Sequence, residues 1–181
     1  MNILIYSCAF LPKTDGLVFR IKAFLDYFID KPDINIVLVT PNPNTINKYE
    51  RYQIINLKGI VIPNYLNKTN RKDIYISDFY NSDKVYNQLY DICYQNKIDV
   101  IHIYQGDFST GIFSLISTNL NIPLVYSWHT DVIDYNKVYS KNKDSGSLIF
   151  LTKLTLVGSC INNCDKILTV SNESRKRLKK Y

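Results

Sequence analysis

Short apolar runs alternate with amphipathic stretches along nearly the whole chain. In the first such stretch, apolar residues recur every three or four positions, as expected for a helix with one buried face. Strands separated by helices predict βαβ units and a mostly parallel sheet with helices on both faces. The sequence therefore predicts an α/β fold, a Rossmann-like three-layer α/β/α domain. The predicted strands are Ile3–Tyr6, Ile34–Val39, Val100–Tyr104, Leu124–Tyr126 and Ile167–Val170.

The segments between these strands are less regular. The predicted helices carry the stripes Leu17 to Phe28, Val85 to Cys93 and Ile112 to Ile116, and two more span about Leu148–Asn162 and Ser174–Lys180. The sequence also predicts a short strand or hairpin within Ile54–Ile62, around Gly59. Pro63–Asp83 is expected to be a long irregular connection, which in a compact domain is usually functional or mobile. Ser171 and Asn172 form a predicted helix N-cap.

Length and composition narrow the class of protein. A chain of 181 residues with 46% hydrophobic and 21% charged residues is long enough for one globular domain with a core. We expect a cytoplasmic protein, because there is no leader-like segment and no run of about 20 apolar residues. Cys160 and Cys164 would need two further ligands to bind zinc, and no Cys or His lies near them in sequence. Buried free thiols are favoured, and no metal is expected.

Polar residues follow the predicted strands. In a parallel sheet these exits share one edge, where ligands usually bind. Their convergence predicts a crevice more specifically than any one motif does. The exits are Ser7, Thr40, Tyr104–Gln105, Ser127–Asp131 and Ser171.

His129 is the strongest single candidate at this edge. It follows a buried strand, and with a pKa near ~6.5 it could donate a hydrogen bond or act as a base. Taken alone, the segment is equally consistent with a Thr130/Asp131 helix cap and an incidental imidazole. The other histidine, His102, lies inside an apolar strand, where a hydrogen-bonded core histidine is favoured.

The loop Phe10–Gly16 leads into the N-terminus of a predicted helix. Such a terminus presents free N–H groups and partial positive charge, and Gly16 would let the backbone approach an anionic ligand closely. The alternative is a glycine that only relieves a tight turn. No G-x-G-x-x-G, P-loop, G-x-S-x-G or H-E-x-x-H motif is present.

The net charge of +6 suits anionic partners without choosing among them. Sugar nucleotides, phospholipid surfaces and nucleic acid all qualify. The basic run Arg175–Lys180 could contact nucleic acid or lipid, but a solvated helix face is favoured. Nucleic-acid binding is therefore not expected.

Several ordered segments together resemble the family 4 glycosyltransferases of the GT-B fold. The order and spacing of these segments cover nearly the whole chain. In its His-Thr-Asp form, the middle segment is similar to that of transferases that glycosylate lipids. The segments are Ile3–Ser7 with Phe10–Gly16, Asp99–Gln105, Ile122–Asp131, and Asp165–Ser171 followed by Arg175 and Leu178.

The resemblance implies two Rossmann-like domains facing across a cleft. The N-terminal domain would bind the acceptor, and the C-terminal domain would hold most of the nucleotide-sugar donor. Retaining hexosyl transfer to a lipid or glycan would need no metal or other cofactor, and peripheral membrane contact is possible. His129 would touch the donor sugar at the reacting centre. Gly16, Asp15 and Asp131 would lie at the donor phosphates and sugar, and Tyr104, Gln105 and Ser171 at the acceptor side of the cleft.

The chain ends at Tyr181, where the family crosses to its second domain. We therefore expect residues 1–181 to be the N-terminal, acceptor-side domain without the C-terminal donor domain, and to transfer little or no sugar alone. One alternative is a non-catalytic acceptor-binding or sugar-binding module, or a half-protein completed by a separate chain. A sugar-nucleotide epimerase of the GT-B type is a weaker alternative.

Overall fold

The computed structural model describes residues 1–62, 74–105, 109–129 and 161–179. They form a six-stranded sheet in which every pairing is parallel. The predicted α/β Rossmann-like fold is confirmed. In the order in which they pair across the sheet, the strands are β3 (Gln53–Asn56), β2 (Asn35–Thr40), β1 (Asn2–Ser7), β6 (Val100–Gln105), β7 (Leu124–Trp128) and β8 (Lys166–Thr169). A separate antiparallel pair consists of β4 (Gly59–Ile62) and β5 (Ile74–Ser77).

Four α-helices are described, and three of them pack on the sheet from opposite sides. α1 covers one face, called here the α1 face, and α2 and α3 cover the other. The alternation of side chains along each strand sends Ile3 and Ile5 toward α1 and Leu4 and Tyr6 toward the opposite core. The helices are α1 (Gly16–Phe28), α2 (Ser82–Gln95), α3 (Thr110–Leu120) and α4 (Asn172–Leu178).

The segment after β2 forms hydrogen bonds with the C-terminal end of α1 and the residues that follow it. The Arg51 guanidinium donates to the backbone carbonyls of Ile29, Lys31 and Ile34, which lie at and beyond the helix end. The Tyr52 hydroxyl donates to the carbonyl of Leu25 at 2.8 Å. A cation at a helix C-terminus also offsets the helix dipole. These contacts hold α1 against the sheet, and α1 supplies one wall of the site described below.

One prediction for residues 54–83 is confirmed in part, and another was wrong. Of the two forms predicted for Ile54–Ile62, short strands are present, but Gly59 does not turn a hairpin, because β3 joins the large sheet while β4 pairs with β5. Residues 74–83 are not irregular, since they contain β5, a short 3-10 helix (Phe79–Asn81) and the start of α2. β5 has four residues, too few for a periodic pattern to stand out, and its partner is distant in sequence. Residues 63–73 lie outside the described part of the chain.

Other boundaries moved by one to three residues. β7 continues two residues beyond Tyr126, and α4 begins at Asn172 and ends at Leu178. The predicted cap is confirmed, because Ser171 Oγ accepts a hydrogen bond from the Ser174 N–H at 3.1 Å. Residues 148–160 of the predicted fourth helix, with Cys160, lie outside the described residues, and Ile161–Asn163 is a 3-10 helix.

Gly59 is required by a close backbone approach. A β-carbon there would lie 2.3 Å from the carbonyl oxygen of Pro41, which is rigid backbone. We expect Gly59→Ala to lower the free energy of unfolding by about 2 kcal/mol, because the chain must shift to relieve this overlap. Urea unfolding followed by the fluorescence of the single tryptophan, Trp128, measures the effect.

Gly16→Ala is the matched control. No atom lies within 4 Å of the β-carbon position at Gly16, so this substitution should leave the stability nearly unchanged. Equal losses in the two variants would show that the Pro41 contact does not determine the effect.

Candidate functional site: the pocket between α1 and the ends of β6 to β8

The adjacent strands β6 and β7 present a set of polar and aromatic side chains on the α1 face. His102 of β6 is in register with Val125 of β7, and Ile103 with Tyr126. Because side chains alternate along a strand, His102 and Tyr104 share this face with Ser127, while Tyr126 and Trp128 enter the opposite core.

His129 follows β7 directly and stacks on Tyr104. Their ring centroids are 5.6 Å apart, and the planes differ by only 15°. On its other side Tyr104 meets His102, at 4.3 Å between centroids, and Phe24 of α1 contacts both Tyr104 and His102 edge-on at 6.0 Å. The three rings from β6 and β7 therefore form one packed group, with Phe24 against its side.

His102 is the hydrogen-bonded core histidine that the sequence predicts. It is 7% exposed, and its Nε2 lies 2.8 Å from Ser127 Oγ. Burial, with a smaller effect of the neighbouring His129, lowers its pKa to about 4. His102 is therefore neutral at pH 7, and it packs against Tyr104, which lines the pocket described below.

His129 is differently placed. Its side chain as a whole is only partly buried, but both ring nitrogens are buried and have no hydrogen-bond partner within the described ranges. Burial lowers its pKa, and the positive charge of Arg20 lowers it further. A neutral imidazole with both nitrogens unpaired can donate one hydrogen bond to a ligand and accept another.

A pocket of about 390 Å³ opens beside His129, between α1 and the ends of β6, β7 and β8. Its walls come from four elements. The α1 wall carries Arg20, Ala23, Phe24 and Tyr27; Tyr104, Ser127, His129, Leu168 and Thr169 complete the lining.

Arg20 is the site residue that sequence reasoning missed. The buried stripe of α1 consists of Val18, Ile21 and Leu25, and a second stripe of side chains lies beside it. Arg20, Phe24 and Tyr27 are spaced four and three residues apart, so they share a side of the helix that lies beside the buried stripe. That spacing was a usable signal, but only the sheet shows what this side of α1 faces.

The structure places Asp15 and Gly16 at the start of α1, outside the pocket lining. Asp15 is the N-cap, and its Oδ1 accepts a hydrogen bond from the Val18 N–H at 2.9 Å. Lys13 lies 3.3 Å from the same carboxylate. Gly16 is exposed and begins the helix, one turn before Arg20.

Only some of the polar strand exits come together. Tyr104, Ser127 and His129 do, and they are joined by Thr169. Buried Ser7 and Thr40 are instead bonded within their own turns, and exposed Ser171 caps α4. For Gln105 only the backbone is described, paired with Ser7, and Asp131 lies outside the described residues.

The described residues contain no group of three or more His, Cys, Asp or Glu side chains that could hold a metal ion. None of their helices is both long enough and apolar enough to cross a membrane.

A parallel sheet with ligand-competent side chains gathered at its carboxyl edge defines a Rossmann-like binding domain. The sequence profile described as Glycosyltransferase Family 4 matches residues 16–181. The chain belongs to this family, and the assignment made from the sequence motifs is confirmed.

The chain is also similar to individual proteins. It is 25% identical over 183 residues to the alpha-monoglucosyldiacylglycerol synthase of Streptococcus pneumoniae (strain ATCC BAA-255 / R6). That match includes the whole chain but 38% of the synthase, so the chain spans little more than a third of this relative's length.

Two solved structures share the fold. MurG of Acinetobacter baumannii superimposes with a TM-score of 0.57 at 10% identity, over 96% of this chain and 42% of MurG. The UDP-GlcNAc 2-epimerase of Methanocaldococcus jannaschii gives a TM-score of 0.51 at 12% identity, over 99% of this chain and 42% of the epimerase. At such identities the likeness concerns the fold alone.

Proposed function

We propose that residues 1–181 form the N-terminal, acceptor-side domain of a retaining glycosyltransferase. The enzyme would move a hexosyl group from a nucleotide sugar to a lipid or glycan acceptor. The observation that carries the proposal is His129, with both ring nitrogens unpaired at the edge of a pocket in a chain of glycosyltransferase family 4.

The proposed chemistry follows from where charge develops. The leaving group is a nucleoside diphosphate, so negative charge grows on phosphate as the glycosidic bond breaks. The N-terminus of α1, beginning at the exposed Gly16, would offer N–H groups and partial positive charge to that phosphate. Neutral His129 would hold a hydroxyl of the donor sugar near the reacting carbon. In this scheme the nucleotide sugar is a substrate, and the domain uses no resident metal or cofactor.

A second domain completes the proposed enzyme. The chain covers 38% of the length of its S. pneumoniae relative, which leaves room for a donor-binding domain outside these residues. Asp131, with Asp15 and Gly16, would lie on the donor side of the cleft between the domains. Tyr104, Gln105 and Ser171 would lie on the acceptor side.

Membrane contact is part of the proposal. The name of the S. pneumoniae relative refers to a glucosyldiacylglycerol, which favours a lipid acceptor here. The exposed basic side chains of α4, at Arg175, Lys176 and Arg177, could hold the protein peripherally at the anionic, cytoplasmic face of a membrane. No nucleic-acid role is proposed for them.

The first test is turnover by the isolated chain. We expect less than about 1% of the sugar transfer shown by a protein that joins this chain to a family 4 donor domain, because the donor would lack most of its contacts. Release of nucleoside diphosphate and formation of glycosylated lipid, with diacylglycerol and phospholipid each offered as acceptor, are the measurements. Comparable transfer by the isolated chain would overturn the two-domain proposal.

The same proteins separate an enzyme from a binding module. If the joined protein also fails to transfer sugar while calorimetry detects acceptor binding to this chain, the domain is a non-catalytic acceptor-binding module. If transfer appears only when the donor domain is supplied as a separate polypeptide, the protein is one half of a two-chain enzyme.

A further inference from the structure

The described residues that line the pocket carry a positive charge and no negative charge. Arg20 is the only charged group that lines it within the described residues, and no acidic side chain there does so. The other cation of α1, Lys22, is neutralised by Asp26 at 2.6 Å on the outer side of the helix. Arg20 has no carboxylate partner among the described residues. An exposed cation beside a pocket attracts an anionic group of the ligand.

Apart from Ser127, His129 and Thr169, the remaining lining is aromatic and aliphatic. Phe24, Tyr27 and Tyr104 provide ring surface, and Leu168 from β8 is 44% exposed beside them. Leaving such apolar surface in contact with water is unfavourable, so a ligand that covers it gains free energy. The pocket therefore suits a molecule that is apolar at one end and anionic at the other.

The direction of the pocket separates this ligand from the donor phosphates. Gly16 lies at the N-terminus of α1, whereas the pocket wall runs from Arg20 through Phe24 to Tyr27, away from that terminus. The pocket wall thus lies about one to three turns farther along α1 than a phosphate bound at the helix N-terminus, with Arg20 at its near end.

We propose that this pocket binds the acceptor, that the acceptor is a phospholipid, and that Arg20 selects it by pairing with its phosphate. The glycerol and the first acyl carbons would lie on Phe24, Tyr27 and Leu168, which places the headgroup hydroxyl near His129. This inference rests on the proposed transferase function and deepens it by naming the acceptor class. Arg20 determines specificity in this scheme, and it takes no part in bond breaking.

Binding to the 181-residue chain tests the proposal without any turnover. The probes are monomeric dihexanoyl phosphatidic acid and dihexanoylglycerol, which is the same lipid without the phosphate. Inorganic phosphate and UDP serve for comparison, and each compound is titrated by calorimetry. We expect the phosphatidic acid to bind at least tenfold more tightly than dihexanoylglycerol or inorganic phosphate. Arg20→Gln should remove about tenfold of that affinity, since one charge-assisted hydrogen bond is lost.

Two further variants locate the effect. Lys22→Gln removes the same charge from the same helix outside the pocket, and it should leave lipid affinity unchanged. Tyr27→Ser alters the apolar wall at a residue that is 68% exposed, so the fold should tolerate it. It should weaken binding of phosphatidic acid and leave binding of inorganic phosphate unchanged.

Several results would overturn the inference. Equal affinity for the two lipids, or equal losses in Arg20→Gln and Lys22→Gln, would show that Arg20 does not select a phosphate. Binding of UDP that depends on Arg20, without binding of either lipid, would assign Arg20 to the donor. In each case sugar transfer by the joined two-domain protein would still test the proposed function separately.

Discussion

Replacing His129 by alanine in a protein that joins this chain to a donor domain is expected to lower kcat about 100-fold. The reason is that a preorganised hydrogen-bond partner next to the reacting sugar acts most strongly in the transition state. The imidazole is held flat against Tyr104, so its orientation costs little when the substrate binds. Initial rates of sugar transfer at saturating donor and acceptor measure the effect.

His129→Gln is the matched variant, because it keeps one donor and one acceptor of hydrogen bonds in a side chain of similar size. We expect it to recover part of the lost turnover. Unfolding curves of both variants, followed through Trp128, establish that the fold is intact. Near-normal turnover in His129→Ala would reduce His129 to a structural polar group.

Acidification from pH 7 to pH 4.5 is expected to lower the free energy of unfolding by about 2 kcal/mol through His102 alone. The pKa of His102 is lowered to about 4 in the folded protein, from about 6.5 in the unfolded chain. Below pH 6.5 the unfolded chain therefore binds a proton that the folded protein does not. The destabilisation begins near pH 6.5, grows as the pH falls, and stops growing near pH 4.

His129 acts in the same direction, because burial and then Arg20 lower its pKa. His102→Gln removes the larger contribution while leaving an amide that can still bond Ser127. Urea unfolding at several pH values should show a flatter pH dependence for this variant than for the wild-type protein between pH 6.5 and 4. Parallel curves would show that His102 is not held neutral by burial, and NMR titration of the two imidazoles provides an independent check.

Much of the fold could be predicted because its signals are local. Apolar runs long enough to be buried marked β1, β2, β6 and β7, and the spacing of Leu17 to Phe28 marked α1. Ser171 was predictable as a cap because a capping hydroxyl acts within three residues of its own position. β5 was not predictable, since four residues are too few for a periodic pattern to stand out.

Some residues of the candidate site could also be predicted from the sequence, and others could not. His129 and Tyr104 could be named from the sequence because they lie at or just past the ends of predicted strands, but Ser7 and Thr40 lie at strand ends too and are bonded within their own turns. Sequence position alone could not distinguish these outcomes. The difference depends on whether a neighbouring strand exit lies beside the side chain or whether its own loop folds back over it.

The sequence by itself determined the parallel α/β architecture, the membership in glycosyltransferase family 4 and the choice of His129 over His102 as the candidate site residue, because His129 lies outside its strand. Hydrophobic periodicity and short motifs carry this information, because they act within a strand, a helix or a turn. Only the tertiary structure decided that His129 stacks on Tyr104 and that Arg20 shares its pocket. Those neighbours come from β6, β7 and α1, which are far apart in the chain and meet only when the sheet and α1 pack together.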